Sequence, residues 1–235
     1  MLLPYTNTNL EPDMALMAPQ ELSIHVTRIG GYPVEEVPGL SEMKAMASTS
    51  LEEALTLLSA TGPDLVIYGC TSATLSLGPE GDSAFANQLS LDAGCPAITT
   101  SGAILASLHR LGAKRVHFVT PYDAALTQRG SDFLTEAGFE VVAQTYPSTP
   151  LTSLQQGELT PDRIIEMIIA GDHNSADVLV LSCTDMRAVE CIEALETVTG
   201  LPVVTSNQAL FHELLLQLHL PTANVPGRLA RSRAE

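Results

Sequence analysis

Short runs of consecutive apolar residues alternate along this chain with longer segments whose apolar positions recur at spacings of three and four. The runs Leu22 to Thr27, Leu65 to Gly69, Val116 to Thr120, Val141 to Gln144, Val178 to Ser182 and Val203 to Thr205 predict strands. Leu65-Val-Ile-Tyr and Val178-Leu-Val-Leu are apolar at every position, the pattern of central strands covered on both faces. Leu51 to Ala60, Ala103 to Leu111, Asp162 to Ala170 and Ala188 to Leu195 keep helical spacing and predict the covering helices. Strands alternating with helices predict an α/β fold with parallel sheets.

An internal repeat refines that prediction. Asp64-Leu-Val-Ile-Tyr-Gly-Cys-Thr-Ser recurs 113 residues later as Asp177-Val-Leu-Val-Leu-Ser-Cys-Thr-Asp, and the segment from Pro96 recurs 106 residues later from Pro202. The seven-residue difference predicts extra loop in the first copy, around Leu77 to Ser83. Leu3 to Asn7 lies opposite Val119 to Tyr122. Two similar open parallel-sheet lobes related by a pseudo-twofold axis follow, with an active site in the cleft where the carboxyl ends of their strands face each other. The first lobe is expected over 1–101, completed by a C-terminal helix over 207–220, and the second over 102–206. Residues 221–235 have no periodicity and read as a loose tail.

Charge and composition remove several function classes. The 235 residues carry a formal net charge of −16, which opposes attraction to nucleic acid or to an anionic membrane. There is no Trp to serve as a stacking platform, no apolar run approaching the roughly 20 residues of a membrane span, and no signal-peptide pattern at the amino end. A cytosolic address and a small-molecule ligand are expected, with homo-oligomerisation left open. The four cysteines show no CxxC spacing, His212 and His219 lie seven apart without a third ligand, and the glycines of Gly78-Pro-Glu-Gly81 do not form a phosphate loop. Chemistry without metal or nucleotide cofactor is expected.

Cys70 and Cys183 hold the same place in the two copies, each after a buried strand and before a predicted helix, with Thr71 and Thr184 next in line. Helix N-termini lower thiol pKa values, so both sulfurs are expected to have thiolate character, and Cys70 is expected to react ahead of Cys95 and Cys191. Facing each other across the cleft, one thiol serves as base or nucleophile while the other supplies a proton. Cys95, ahead of a strand, and Cys191, within a helix, read as packing residues.

Four motifs resemble the aspartate/glutamate racemase superfamily, and within it the maleate cis-trans isomerase and arylmalonate decarboxylase branch: Pro4-Tyr-Thr-Asn7-Thr8-Asn-Leu-Glu11-Pro12, Tyr68-Gly-Cys70-Thr-Ser72, Thr120-Pro-Tyr122, and Ser182-Cys183-Thr184-Asp-Met-Arg187. The resemblance implies that Asn7, Thr71, Ser72, Tyr122 and Thr184 bind a substrate carboxylate, Thr71 and Ser72 through hydroxyl and backbone N–H. It implies a cofactor-independent isomerase of a small unsaturated dicarboxylate, with Cys70 as nucleophile and Cys183 as acid and base. A decarboxylase, a racemase and a non-catalytic binding protein are the alternatives. Amino-acid racemases usually carry Thr-His after the second cysteine, where this chain has Thr184-Asp185; the decarboxylases characteristically keep only the second cysteine, whereas this chain has both. The isomerases carry an Asn in the stretch matching Leu151 to Gly157, which here has none. His25 and Arg28 are candidates to reach the cleft from a neighbouring strand.

Overall fold

The computed structural model describes residues 1–30, 32–171 and 175–232. Its strands are β1 (Leu2–Pro4), β2 (Thr27–Ile29), β3 (Val66–Tyr68), β4 (Ala97–Thr99), β5 (Arg115–Val119), β6 (Glu140–Thr145), β7 (Val178–Leu181) and β8 (Val203–Thr205). The helices are α1 (Leu10–Met17), α2 (Leu40–Ala47), α3 (Glu52–Ser59), α4 (Thr71–Ser76), α5 (Gly78–Ala93), α6 (Thr100–Arg110), α7 (Ala124–Glu136), α8 (Ser153–Gly157), α9 (Pro161–Ile169), α10 (Ile192–Thr199) and α11 (Ser206–Gln217). Among the described residues no helix is long and apolar enough to cross a membrane.

The strands form two four-stranded parallel sheets in the same order, β2-β1-β3-β4 and β6-β5-β7-β8. The repeat is therefore a repeat of topology. In each sheet the chain turns to opposite sides on leaving the two central strands, so a crevice opens between the loops that follow β1 and β3, and again between those that follow β5 and β7. β3 and β7 are buried at every position, which is why their sequences are apolar throughout. α11 packs on α6 and α1 and also meets β4 and β8, so the last helix fastens both sheets together.

Three expectations are corrected. Leu22 to Val26 does alternate between outward residues and residues turned to the core, but it is not a strand, because pairing starts only at Thr27, opposite Leu2. The extra residues of the first copy are helix, not loop: α4 runs into α5 through Gly78, whose φ of 78° makes the bend, and the following proline occupies the first turn of α5, where its missing N–H costs nothing. The tail is not loose over 221–232. Val225 and Leu229 are buried, Gln208 donates to the Pro226 carbonyl at 2.8 Å, and the Arg228 N–H and guanidinium bind Glu196 and the Gly200 carbonyl. Turns and one short 3-10 helix, Leu229–Arg231, shape this segment, too little regular structure for a period to betray it.

Candidate active site

The loops after β1, β3, β5 and β7 converge on one small cavity of about 20 Å³, lined in part by Asn7, Cys70, Tyr122 and Cys183. Each of these follows a central strand, so the sheet order that creates the two crevices also brings the four side chains together. Thr71, Ser72 and Thr184 line the same space. A roomier cavity of about 100 Å³ lies at the amino ends of β1 and β3, among Met14, Leu22, Ile24, Leu58, Leu214 and Leu218; its wall is mainly aliphatic and holds neither Cys70 nor Cys183.

Cys70 occupies the N-cap position of α4 in extended backbone, with its sulfur facing the Ala73 N–H of the first turn. Its Sγ lies 3.8 Å from Ser72 Oγ. Those groups favour the thiolate, but burial outweighs them and pushes the Cys70 pKa up. Cys183 has no such helix: a turn carries the chain from it to Ala188, and a short helical turn begins at Val189. Burial first, then the Asp185 carboxylate, push its pKa to about 12. The expected thiolate character is thus corrected for the resting site. Burial raises both pKa values above the ordinary thiol value and so favours the protonated thiol at neutral pH, while half-exposed Cys95 is the more accessible to a reagent.

The polar residues are already tied across the lobe boundary. Asn7 Nδ2 donates to Thr184 Oγ1 at 3.0 Å, and Thr184 Oγ1 donates to the Gly69 carbonyl at 3.1 Å, next to Cys70. Asn7 Oδ1 accepts from the Asn9 and Leu10 N–H groups, fixing the start of α1. Thr71 Oγ1 donates to Ser206 Oγ at 2.9 Å, and Ser72 Oγ to Met43 Sδ at 2.8 Å. Tyr122 is 1% exposed, and its hydroxyl, beside Cys183 and Ser182, has no partner in hydrogen-bonding geometry. A buried donor left unpaired in a cavity wall is poised for a ligand.

Sequence reasoning missed Thr6, Tyr32, Ser153, Gln156 and Asp185 as lining residues. Ser153 and Gln156 come from the very stretch that lacks an Asn, and Ser153 Oγ is buried beside Tyr32 with no partner in hydrogen-bonding geometry. Tyr32 arrives on a strap between β2 and α2 that crosses to the second lobe, where the Ser153 and Leu154 N–H groups donate to the Glu36 and Val34 carbonyls at 3.1 Å. Asp185 alone carried a signal, because it replaces Ser72 at the equivalent place of the repeat. Arg28 does not line the cavity: its guanidinium donates to the Asn7 carbonyl at 2.6 Å and pairs with Glu11, bracing the Asn7 loop from outside. His25 lines the distant aliphatic cavity.

A family model of arylmalonate decarboxylase matches residues 38–230. The chain belongs to that family. The chain is also similar to the maleate isomerase of Geobacillus stearothermophilus, 28% identical over 94% of this chain and 92% of the relative, and to that of Pseudomonas putida, 28% identical over 96% and 93%. A solved structure of Nocardia farcinica maleate cis-trans isomerase, a cysteine-to-serine mutant with a covalently bound succinylcysteine intermediate, shares the fold with a TM-score of 0.88 over 99% of this chain and 97% of its own, at 23% identity.

Proposed function

We propose that this family member is a cofactor-independent cis-trans isomerase of a small unsaturated dicarboxylate such as maleate. The observation that carries the reading is that two cysteines from equivalent strand ends line one cavity. The maleate isomerase relatives, and the succinylcysteine in the Nocardia enzyme, support it.

The Cys70 thiol loses its proton to solvent, and the thiolate adds to one alkene carbon while the Cys183 thiol protonates the other. The product is an S-succinyl adduct with a carbon–carbon single bond. Rotation about that bond follows. The Cys183 thiolate then takes the proton back, the C–S bond breaks, and the trans isomer leaves with Cys183 a thiol again and Cys70 a thiolate, which regains its proton from solvent. Asn7, Thr71, Ser72, Tyr122 and Thr184 supply neutral donors for the carboxylates and for the charge that develops beside them on addition. Ser153 and Gln156 take the place the missing Asn would have filled.

The reading divides the chain into a first lobe of 1–101 completed by 207–220 and a second of 102–206, so that each lobe brings one sulfur. Both must stay reduced, a requirement that a reducing, cytosolic compartment meets. Incubation with maleate, an arylmalonate and a chiral amino acid in deuterated buffer, followed by proton NMR, tests the proposal. Conversion of maleate to fumarate is expected; loss of a carboxyl group or α-deuteration without alkene conversion would replace the isomerase with a decarboxylase or racemase.

A further inference from the structure

The two cysteines sit in near-identical motifs, Cys70-Thr71-Ser72 and Cys183-Thr184-Asp185, so something must make one a nucleophile and the other an acid. The position two residues after each cysteine is where the copies differ in charge. In the first lobe a neutral hydroxyl lies 3.8 Å from the sulfur. In the second it is a carboxylate, and among the described residues that line the cavity Asp185 alone is an acidic or basic side chain.

That carboxylate is held in place. Its Oδ1 accepts from the Thr8 N–H at 2.7 Å, Thr8 Oγ1 at 3.2 Å, the Asn9 N–H at 3.2 Å and Asn9 Nδ2 at 3.0 Å. Burial raises the Asp185 pKa above its ordinary value, and the four donors on one oxygen counter that push and favour the carboxylate. Asn9 Nδ2 also donates to the Asp185 and Gly157 carbonyls, so the clamp joins the β1 loop, the Cys183 turn and α8. The Asp185 N–H itself points at Cys183 Sγ from 3.3 Å.

We propose that Asp185 is the positioning residue that assigns unequal roles to the two thiols: clamped by Thr8 and Asn9 in the turn after Cys183, its negative charge keeps that sulfur the proton donor and leaves Cys70 the nucleophile. The names of the roles rest on the isomerase reading; the asymmetry does not. The other titratable groups facing the sulfurs are Tyr32 on the strap, Tyr68 on β3 and Tyr122 after β5, and burial pushes all three pKa values well up, so they stay uncharged. Asp185 opposes ionisation of both cysteines. At Cys183 only burial outranks it, whereas at Cys70 burial, the Ala73 N–H and the Ser72 hydroxyl all do.

The test needs no substrate. Alkylation of the intact protein by iodoacetamide across a pH series, read for each cysteine peptide by mass spectrometry, gives a midpoint for each thiol. In the unaltered protein the Cys183 midpoint is expected above that of Cys70. Asp185→Asn keeps the size and the accepting oxygen, and is expected to lower the Cys183 midpoint by about one pH unit, roughly tenfold in its alkylation rate at fixed pH, while moving Cys70 less. A Cys183 midpoint at or below that of Cys70 in the unaltered protein overturns the proposal even if the variant does not fold. Equal shifts, or none, in a folded variant also overturn it. Maleate conversion with unordered midpoints removes only the role of Asp185, and ordered midpoints without conversion remove only the isomerase.

Discussion

Replacing Cys183 with Ala takes away the proton donor and leaves the Cys70 sulfur free to attack, so the variant is expected to accumulate a covalent adduct. Intact mass after mixing with maleate is expected to show one added substrate on that variant and none on Cys70→Ala; no adduct on either would remove the covalent mechanism. A second expectation comes from the thiol pKa values. Because burial holds Cys70 above its ordinary value, the thiolate is a minor form at neutral pH, and kcat/KM is expected to climb about tenfold per unit between pH 6 and 8. The Cys183 thiol, at about 12, stays protonated throughout that range and adds no falling limb. A flat profile would mean that Cys70 is already ionised. Tyr122→Phe removes a buried hydroxyl that has no protein partner, so thermal stability is expected to stay within about 1 kcal/mol while kcat falls at least about tenfold from the lost donor. A large loss of stability with activity retained would make Tyr122 a packing residue.

At the scale of elements, the closeness of β1, α1 and the Cys70 loop leaves no room at Gly69. A Cβ there would lie 2.5 Å from Leu3 Cδ2 and 2.6 Å from Leu10 Cδ2, and the Gly69 carbonyl must stay in place to accept from Thr184. Gly69→Ala is expected to cost about 1–3 kcal/mol in urea unfolding and to lower activity as well; an unchanged midpoint would mean the two leucines repack freely. The central strands were legible because burial on both faces writes an uninterrupted apolar run, as in Val178 to Leu181. Leu22 to Val26 misled because an alternating, half-buried segment looks the same with or without a pairing partner, and the partner is a tertiary fact. Gly78-Pro79 misled in the opposite sense, since turn-forming residues also open helices.

For the molecule as a whole, the balance of burial and charge predicts a pH dependence outside the active site. Asp82 on α5 is 3% exposed, its Oδ1 lacks a partner, and burial raises its pKa from 3.8 to about 6. A carboxyl group whose folded pKa lies above its unfolded value binds its proton more tightly in the native state. Native stability therefore falls as pH rises through 4 to 6, and the penalty is complete above that window. Asp82→Asn is expected to stabilise by about 2–3 kcal/mol at pH 8, two pKa units' worth, and to gain nothing at pH 4, as urea denaturation at the two values would show. Equal effects at both would exclude the charge as the cause. The sequence by itself determined the α/β class, the duplication and the two cysteines, because apolar runs and a repeated motif are local properties that survive as text. The motifs' resemblance to the racemase superfamily pointed to Asn7, Thr71, Ser72, Tyr122 and Thr184, which line one cavity. Only the tertiary structure decided that Tyr32, Ser153 and Gln156 line the same cavity, that Arg28 braces the Asn7 loop from outside, and that burial pushes both thiol pKa values up rather than down. Desolvation and cross-lobe hydrogen bonds depend on which distant segments meet, and no spacing along the chain encodes that meeting.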